Sequence, residues 1–376
     1  MYFLNGERIY IKPENGCAST DDQLLSCFEQ LQQINSGKQI FKLNFFADTP
    51  TKENYRQTCD QLKEAVAKRF NIPVICGLIA QPPLTCRILV EAFYFDSALW
   101  NADFIFTENG SAALFQRERT KVLIGDSHAA GSSCCLENAE AAFSTFESLL
   151  KQAGLSFGSV IRQWNYIENI TYFDGEKQRY QDFNNVRTGF YGHHFKQNGF
   201  PAATGIGMNQ GGIIIEFVAV ESNDAVSLPL DNPEQVAAYG YSQQVLVGKP
   251  EEVESTPKFE RARYLEIFGK KQVFISGTAS IRGEKTVGRN DPVKQTEITI
   301  QNLQRLYSRE VLSTVTGNLL QPVYGHARVY VKNKKDFQAI RRTFKRYYGN
   351  LPVVYIIADI CRDDLLVEIE GKVILE

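Results

Sequence analysis

One arrangement occurs three times along the chain and limits its fold more than any other feature. A strand is followed by an amphipathic helix, then a strand opened by proline, then a strand whose apolar run is broken by a glutamate. The first copy reads IFKLNFFAD from Ile40, ENYRQTCDQLKEAVAKRF from Glu53, IPVICGLIA from Ile72 and ILVEAFYF from Ile88. The second reads VIRQWNYIEN from Val160, YQDFNNVRTGFYGHHF from Tyr180, FPAATGIG from Phe200 and IIIEFVAV from Ile213. The third reads ARVYVKN ending at Asn333, DFQAIRRTFKRYY from Asp336, PVVYIIADI from Pro352 and LLVEIEG from Leu365. Pro73, Pro201 and Pro352 stand where a strand's first residue tolerates a missing N–H. Glu91, Glu216 and Glu368 follow them by 18, 15 and 16 residues.

Upstream of each copy lies a further strand, a glycine-containing loop and a helix with apolar residues at helical spacing. The expected fold class is therefore α+β, with three similar units in one chain. Their boundaries are expected at 1–110, 111–225 and 259–376, with 226–258 as a linker in which Pro229, Pro233, Pro250 and Pro257 discourage regular structure. Helices cover one face of each sheet, and near-continuous apolar strands such as VVYII imply burial of the other. Three sheets packed about a pseudo-threefold axis, with clefts between neighbours, satisfy both demands.

The chain's 376 residues carry 41 Lys+Arg against 43 Asp+Glu. A balance this close to neutral gives no long-range field to gather nucleic acid or an anionic membrane, so neither is expected as a partner. The opening MYFLNGERIYIKP lacks the apolar stretch of a signal peptide, no run is long enough to span a bilayer, and a cytoplasmic protein is expected. Eight cysteines without CxxC spacing read as reduced thiols. The histidines at 128, 193, 194 and 326 form no ligand pattern, so neither metal nor cofactor is expected.

The unit plan, with AGLS at Ala153–Ser156, PAATGIG at Pro201–Gly207 and EIEG at Glu368–Gly371, resembles the RidA/YjgF family. That resemblance implies a trimer with interfacial clefts, here fused into one chain and expected to act as a monomer. Phe259–Thr286, which contains SGTASI, together with QTEITIQNL, WNYI, RYQDFNNVR and PAATGIG, is similar to the chorismatase family. Its members split the enolpyruvyl ether of chorismate into pyruvate and a cyclohexadiene or hydroxybenzoate carboxylate. Two departures stand out. The family commonly has Gly-His after SGTASI, where this chain has Gly283-Glu284; and the arginine that imine deaminases of the RidA family carry two residues after the strand-opening proline is replaced by Ile75, Ala203 and Val354.

Cleavage of an enol ether starts with protonation of its methylene carbon, which calls for an acid still protonated near neutral pH. A carboxyl in an apolar strand meets that need because burial disfavours its charged form. Glu368 is the candidate acid, since the SGTASI loop lies in its unit, while Glu91 and Glu216 are read as structural. A dicarboxylate small molecule calls for planar donors, and Arg162, Arg179 and Arg187 are available, with Trp164 and Tyr166 on the same strand face as Arg162. The resemblance also places Gly277, Thr278 and Ser280 at the cleft. Two other readings remain at this stage: a RidA-like enamine deaminase, and a small-molecule binder without catalysis.

Overall fold

The computed structural model describes residues 2–34, 37–195, 198–247, 253–317 and 320–376, so Pro250 lies outside the described residues. The first sheet is built from β1 (Arg8–Ile11), β2 (Gln39–Ala47), β3 (Ile75–Ile79) and β4 (Ile88–Phe95), with α1 (Thr20–Gln33) and α2 (Lys52–Arg69) between strands. The second contains β5 (Asn101–Thr107), β6 (Gly110–Arg117), β7 (Thr120–Ala129) and β8 (Val160–Glu168), with α3 (Cys135–Gln152) before β8. A two-residue hairpin, β9 (Phe173–Asp174) and β10 (Lys177–Gln178), leads into α4 (Arg179–Tyr191), after which β11 (Ala202–Met208) and β12 (Ile213–Glu221) complete it. The third begins with β13 (Val226–Leu230), β14 (Ala262–Ile267) and β15 (Lys270–Ala279), followed by the small hairpin β16 (Ile281–Arg282) and β17 (Lys285–Thr286). It continues through α5 (Pro292–Leu306), α6 (Arg309–Leu312), β18 (Pro322–Val331), α7 (Phe337–Tyr348), β19 (Val353–Ile357) and β20 (Val367–Leu375).

The three sheets share a common strand order, β1-β4-β2-β3, β7-β12-β8-β11 and β15-β20-β18-β19. In each, the second and third strands pair in parallel across a helix, as β2 with β3, β8 with β11 and β18 with β19. Two strands depart from the expected boundaries. β5, expected in the first unit, pairs with β6 and lies at the edge of the second sheet, because residues 108–109 form the tight turn of their hairpin. β13, expected within a linker, pairs with β14 as an edge strand, a position that tolerates Pro229.

Alternation along the strands explains where the core sits. In β2, Leu43, Phe45 and Ala47 face α1 and α2, while Phe46 and, at the register irregularity between Ile40 and Lys42, Phe41 enter a central cluster. In β8 and β18, Ile167 and Val329 face their own helices, whereas Trp164, Tyr166 and Tyr330 join that same central cluster. The helices bring matching apolar faces: α3 buries Ala139, Ala142, Phe143, Phe146 and Leu149 in one stripe. α5 is started by Asp291, whose side chain accepts from the Lys294 N–H, with Pro292 in the first turn. The result is one helix-covered core per sheet and a fourth core where the three uncovered faces meet.

Candidate active site

Strand register makes the repeated glutamates equivalent. Opposite Glu91, Glu216 and Glu368 stand Asn44, Trp164 and Tyr330. Two residues earlier on β2, β8 and β18 stand three cations, Lys42, Arg162 and Arg328. Each reaches from its own unit into the next. Lys42 Nζ lies 2.7 Å from Glu216 Oε1 and 3.0 Å from Asp126 Oδ2. Arg328 pairs with Glu91, which Arg8 also engages. By the same rotation Arg162 should meet Glu368, but it meets a different carboxylate.

That carboxylate is Glu370, which stands opposite Arg328 where the other units have Phe93 opposite Lys42 and Val218 opposite Arg162. Arg162 Nη2 donates to Glu370 Oε2 at 2.5 Å and to Thr204 Oγ1 at 2.7 Å, and the Thr204 hydroxyl itself donates to Glu370. Trp164 Nε1 donates to the other oxygen at 3.0 Å, and Arg328 lies 3.2 Å from it. Burial opposes the charge on Glu370, but Arg162, Arg328 and Arg8 outweigh it and hold its pKa below the ordinary carboxylate range.

Glu368 is thereby left without the cation its counterparts have. Its residue is 4% exposed, and among the described residues no donor bonds to its carboxyl. Burial, reinforced by the negative charge of Glu370 and only partly offset by Arg162 and Arg261, pushes its pKa up to about 8. Glu216 shows the contrast at an equivalent position: burial raises its pKa, but Lys42 and Arg328 overcome this and bring it down to about 2. One strand position thus yields an ionised carboxylate in the second unit and a neutral acid in the third.

Glu368 lies in the wall of a cavity between the second and third units. Gly277 forms the adjoining wall, where a Cβ would fall 2.0 Å from Glu368 Oε1, so the acid can occupy its place only because this residue has no side chain. Tyr180, Tyr241, Phe259 and Leu365 supply ring-sized apolar surface, and Cys361 also lines the cavity. Two cations line it as well. Arg261 Nη2 donates to Tyr241 Oη at 2.6 Å, and its buried Nε has no partner among the described residues; Arg362 donates to the Glu284 carbonyl at 2.7 Å and lies over the Tyr241 ring. Asn184, also in the wall, keeps a buried Nδ2 without an acceptor among the described residues. Unpaired buried donors beside two guanidiniums suit a carboxylate-bearing ligand.

The structure brings Glu368 and Gly277 to this cavity and places the other expected ligand contacts elsewhere. Arg162 and Trp164 hold Glu370 in the central core, and Tyr166 donates to Glu216 at 2.9 Å while accepting from Arg328. They share a strand face as alternation requires, but it is the face that meets the other sheets. Arg179 is tied to Asp174 at 3.0 Å and to the carbonyls of Glu168 and Ser133. Arg187 is buried behind the wall, donating to Asn184 Oδ1 at 2.5 Å. Thr278 and Ser280 spend their hydroxyls on the carbonyls of Ser276 and Val287, at 2.9 and 2.7 Å. Residues 226–258 also exceed a linker's role, since Tyr241, Val245, Leu246, Val247 and Pro257 cover the cavity. Glu284 anchors that cover, accepting from the Ser242 N–H at 2.9 Å and from its hydroxyl at 2.7 Å.

Residues missed in the sequence had signals there. Arg261 and Phe259 belong to the FERA block that precedes SGTASI, and Tyr180 and Asn184 to RYQDFNNVR. Glu370 follows Glu368 by two residues, which in a strand puts both carboxylates on one face, a pairing that commonly splits two pKa values.

Comparison with known proteins agrees with this architecture. Residues 98–219 match the family described as chorismatase FkbO/Hyg5-like, N-terminal. A 3-hydroxybenzoate synthase of Streptomyces hygroscopicus is 35% identical over 246 residues, covering 63% of this chain and 69% of that protein. A chorismatase of Streptomyces rapamycinicus is 34% identical over 227 residues, covering 58% and 65%. A chorismatase crystal structure superposes with a TM-score of 0.73 across 98% of both chains, and at 22% identity it attests the shared fold. By fold and by sequence, the chain belongs to the FkbO/Hyg5-like chorismatase family.

Proposed function

We propose that the chain is an enzyme that cleaves the enolpyruvyl ether of chorismate or a close analogue, with Glu368 as general acid. The observation that carries this reading is the release of Glu368 from the ion pairing that Glu91 and Glu216 retain. A carboxyl with a pKa near 8 still holds its proton at neutral pH. It passes that proton to the methylene carbon of the ether, leaving a cation shared between the adjacent carbon and the ether oxygen. Water adds to that carbon, and the hemiketal collapses to pyruvate and the ring alcohol. The proton lost by the added water returns the acid to its starting state. Arg261 and Arg362 hold the substrate's carboxylates, while Tyr180, Tyr241 and Phe259 flank the ring. No helix among the described residues is long and apolar enough to cross a membrane, and the protein is read as a cytoplasmic monomer that uses no cofactor.

Incubation with chorismate, following pyruvate, tests the proposal. Release is expected from the native protein, and Glu368→Gln should lower it by roughly 10²-fold or more. Absence of pyruvate across the pH range refutes it. Absorbance of the ring product distinguishes a cyclohexadiene from a hydroxybenzoate.

A further inference from the structure

Three guanidinium groups crowd one indole ring in the central core. The Cζ atoms of Arg162, Arg328 and Arg8 lie 4.3, 5.8 and 6.0 Å from the centroid of Trp164. With Lys372 and His326 they surround a small cavity of about 10 Å³, apart from the one that holds Glu368. Such a space admits about one water-sized sphere.

The charges around it do not balance. Arg8, Arg162, Arg328 and Lys372 face two carboxylates, Glu91 and Glu370. His326 contributes no charge at neutral pH: burial, Arg8, Lys372 and Arg328 all hold its pKa far below the usual value, and Arg8 Nη1 lies 2.8 Å from its Nε2. The same burial, with Arg8 nearby, brings Lys372 down to about 7. Hydrogen bonding is also incomplete, because Arg8 Nη2, Arg162 Nη1 and Arg328 Nε are buried without acceptors among the described residues. Lys372 Nζ faces the Tyr2 ring at 5.8 Å and has no ion pair among the described residues. Unmatched charged donors in a protein interior are costly. Water would satisfy the donors but leave the excess charge.

We propose that this cavity binds a single monovalent anion of halide size. The ion accepts from the free edges of the arginines and offsets the surplus charge at the meeting point of the three sheets. It occupies the unused side of Arg162, whose Nη2 already holds Glu370 and Thr204.

Two measurements on the intact protein decide this. Crystals grown with bromide in place of chloride should show an anomalous peak within the ring formed by Arg8, Arg162 and Lys372. Thermal unfolding in sodium chloride and in sodium gluconate at matched ionic strength should show a saturable rise in Tm with chloride only, as mass action on a native-state site requires. Gluconate is too large for the cavity. Lys372→Met keeps the side chain's length, removes one cation and should shrink the chloride-dependent rise. No anomalous peak, or equal Tm shifts in both salts, overturns the proposal; so does a peak without any chloride-specific shift, which would mark an adventitious ion only.

Discussion

At the scale of the residue, the acid depends on a neighbour two positions away. Glu370 draws Arg162 to itself, and its own charge further disfavours ionisation of Glu368. Glu370→Gln removes that charge and leaves Arg162 without a carboxylate, so both effects lower the pKa of Glu368. The alkaline limit of the pH–rate profile should then move to lower pH than in the native enzyme, where activity is expected to fall as pH rises through about 8. The same shift carries a cost in stability. Glu368 has a folded pKa above its ordinary value of 4.5, so the native state keeps a proton that the unfolded chain releases. Stability on this account declines as pH rises from the ordinary value toward 8. Glu368→Gln has no such proton to lose. Urea unfolding at acid and at mildly alkaline pH should show this variant gaining on the native protein as pH rises.

At the scale of the element, the strand carrying the acid and the segment that covers it can be perturbed separately. Gly277→Ala places a methyl group against the Glu368 carboxyl, and that side chain must swing from its place to admit it. Loss of activity is expected in kinetic assays, with a lowered Tm. Glu284→Ala frees the cover from its anchor at Ser242 while leaving the acid's surroundings intact, so KM should rise more than kcat falls. Much at this scale was legible in the sequence. Helical spacing, strand-opening prolines and period-two alternation located the repeated elements and put Arg162, Trp164 and Tyr166 on one face. What the pattern did not reveal was which neighbour that face meets, because alternation fixes a side of the sheet and says nothing of what packs against it. Burial in the central core therefore took these three from the cavity, whereas Arg261, on the approach to β14 in the unit of Glu368, lines it. Glu368 was singled out for a different reason: of three carboxyls in apolar strands, it shares its unit with the SGTASI loop.

At the scale of the whole molecule, the cations pass in one direction around the axis: Lys42 to the second unit, Arg162 to the third, Arg328 back to the first. Removing one member strands its partner in the core. Lys42→Met leaves Glu216 buried without its closest cation and should destabilise the protein by roughly 3–5 kcal/mol in denaturant titration, while pyruvate release by folded molecules persists. Because the central cluster draws side chains from all three sheets, calorimetry should show one cooperative transition rather than three.

The lone substitution at Glu370 has a consequence for what a single gene can do. In an assembly of three identical chains every replacement is made three times, so a glutamate there would unpair three acids at once and triple the electrostatic burden. A tandem chain has no such obligation. It can keep Phe93 and Val218 at two of the equivalent positions, preserve two inert ion pairs as scaffold, and confine the destabilising change to one cleft. Symmetry supplies the frame, and breaking it once leaves a single buried carboxyl outside the ring of ion pairs.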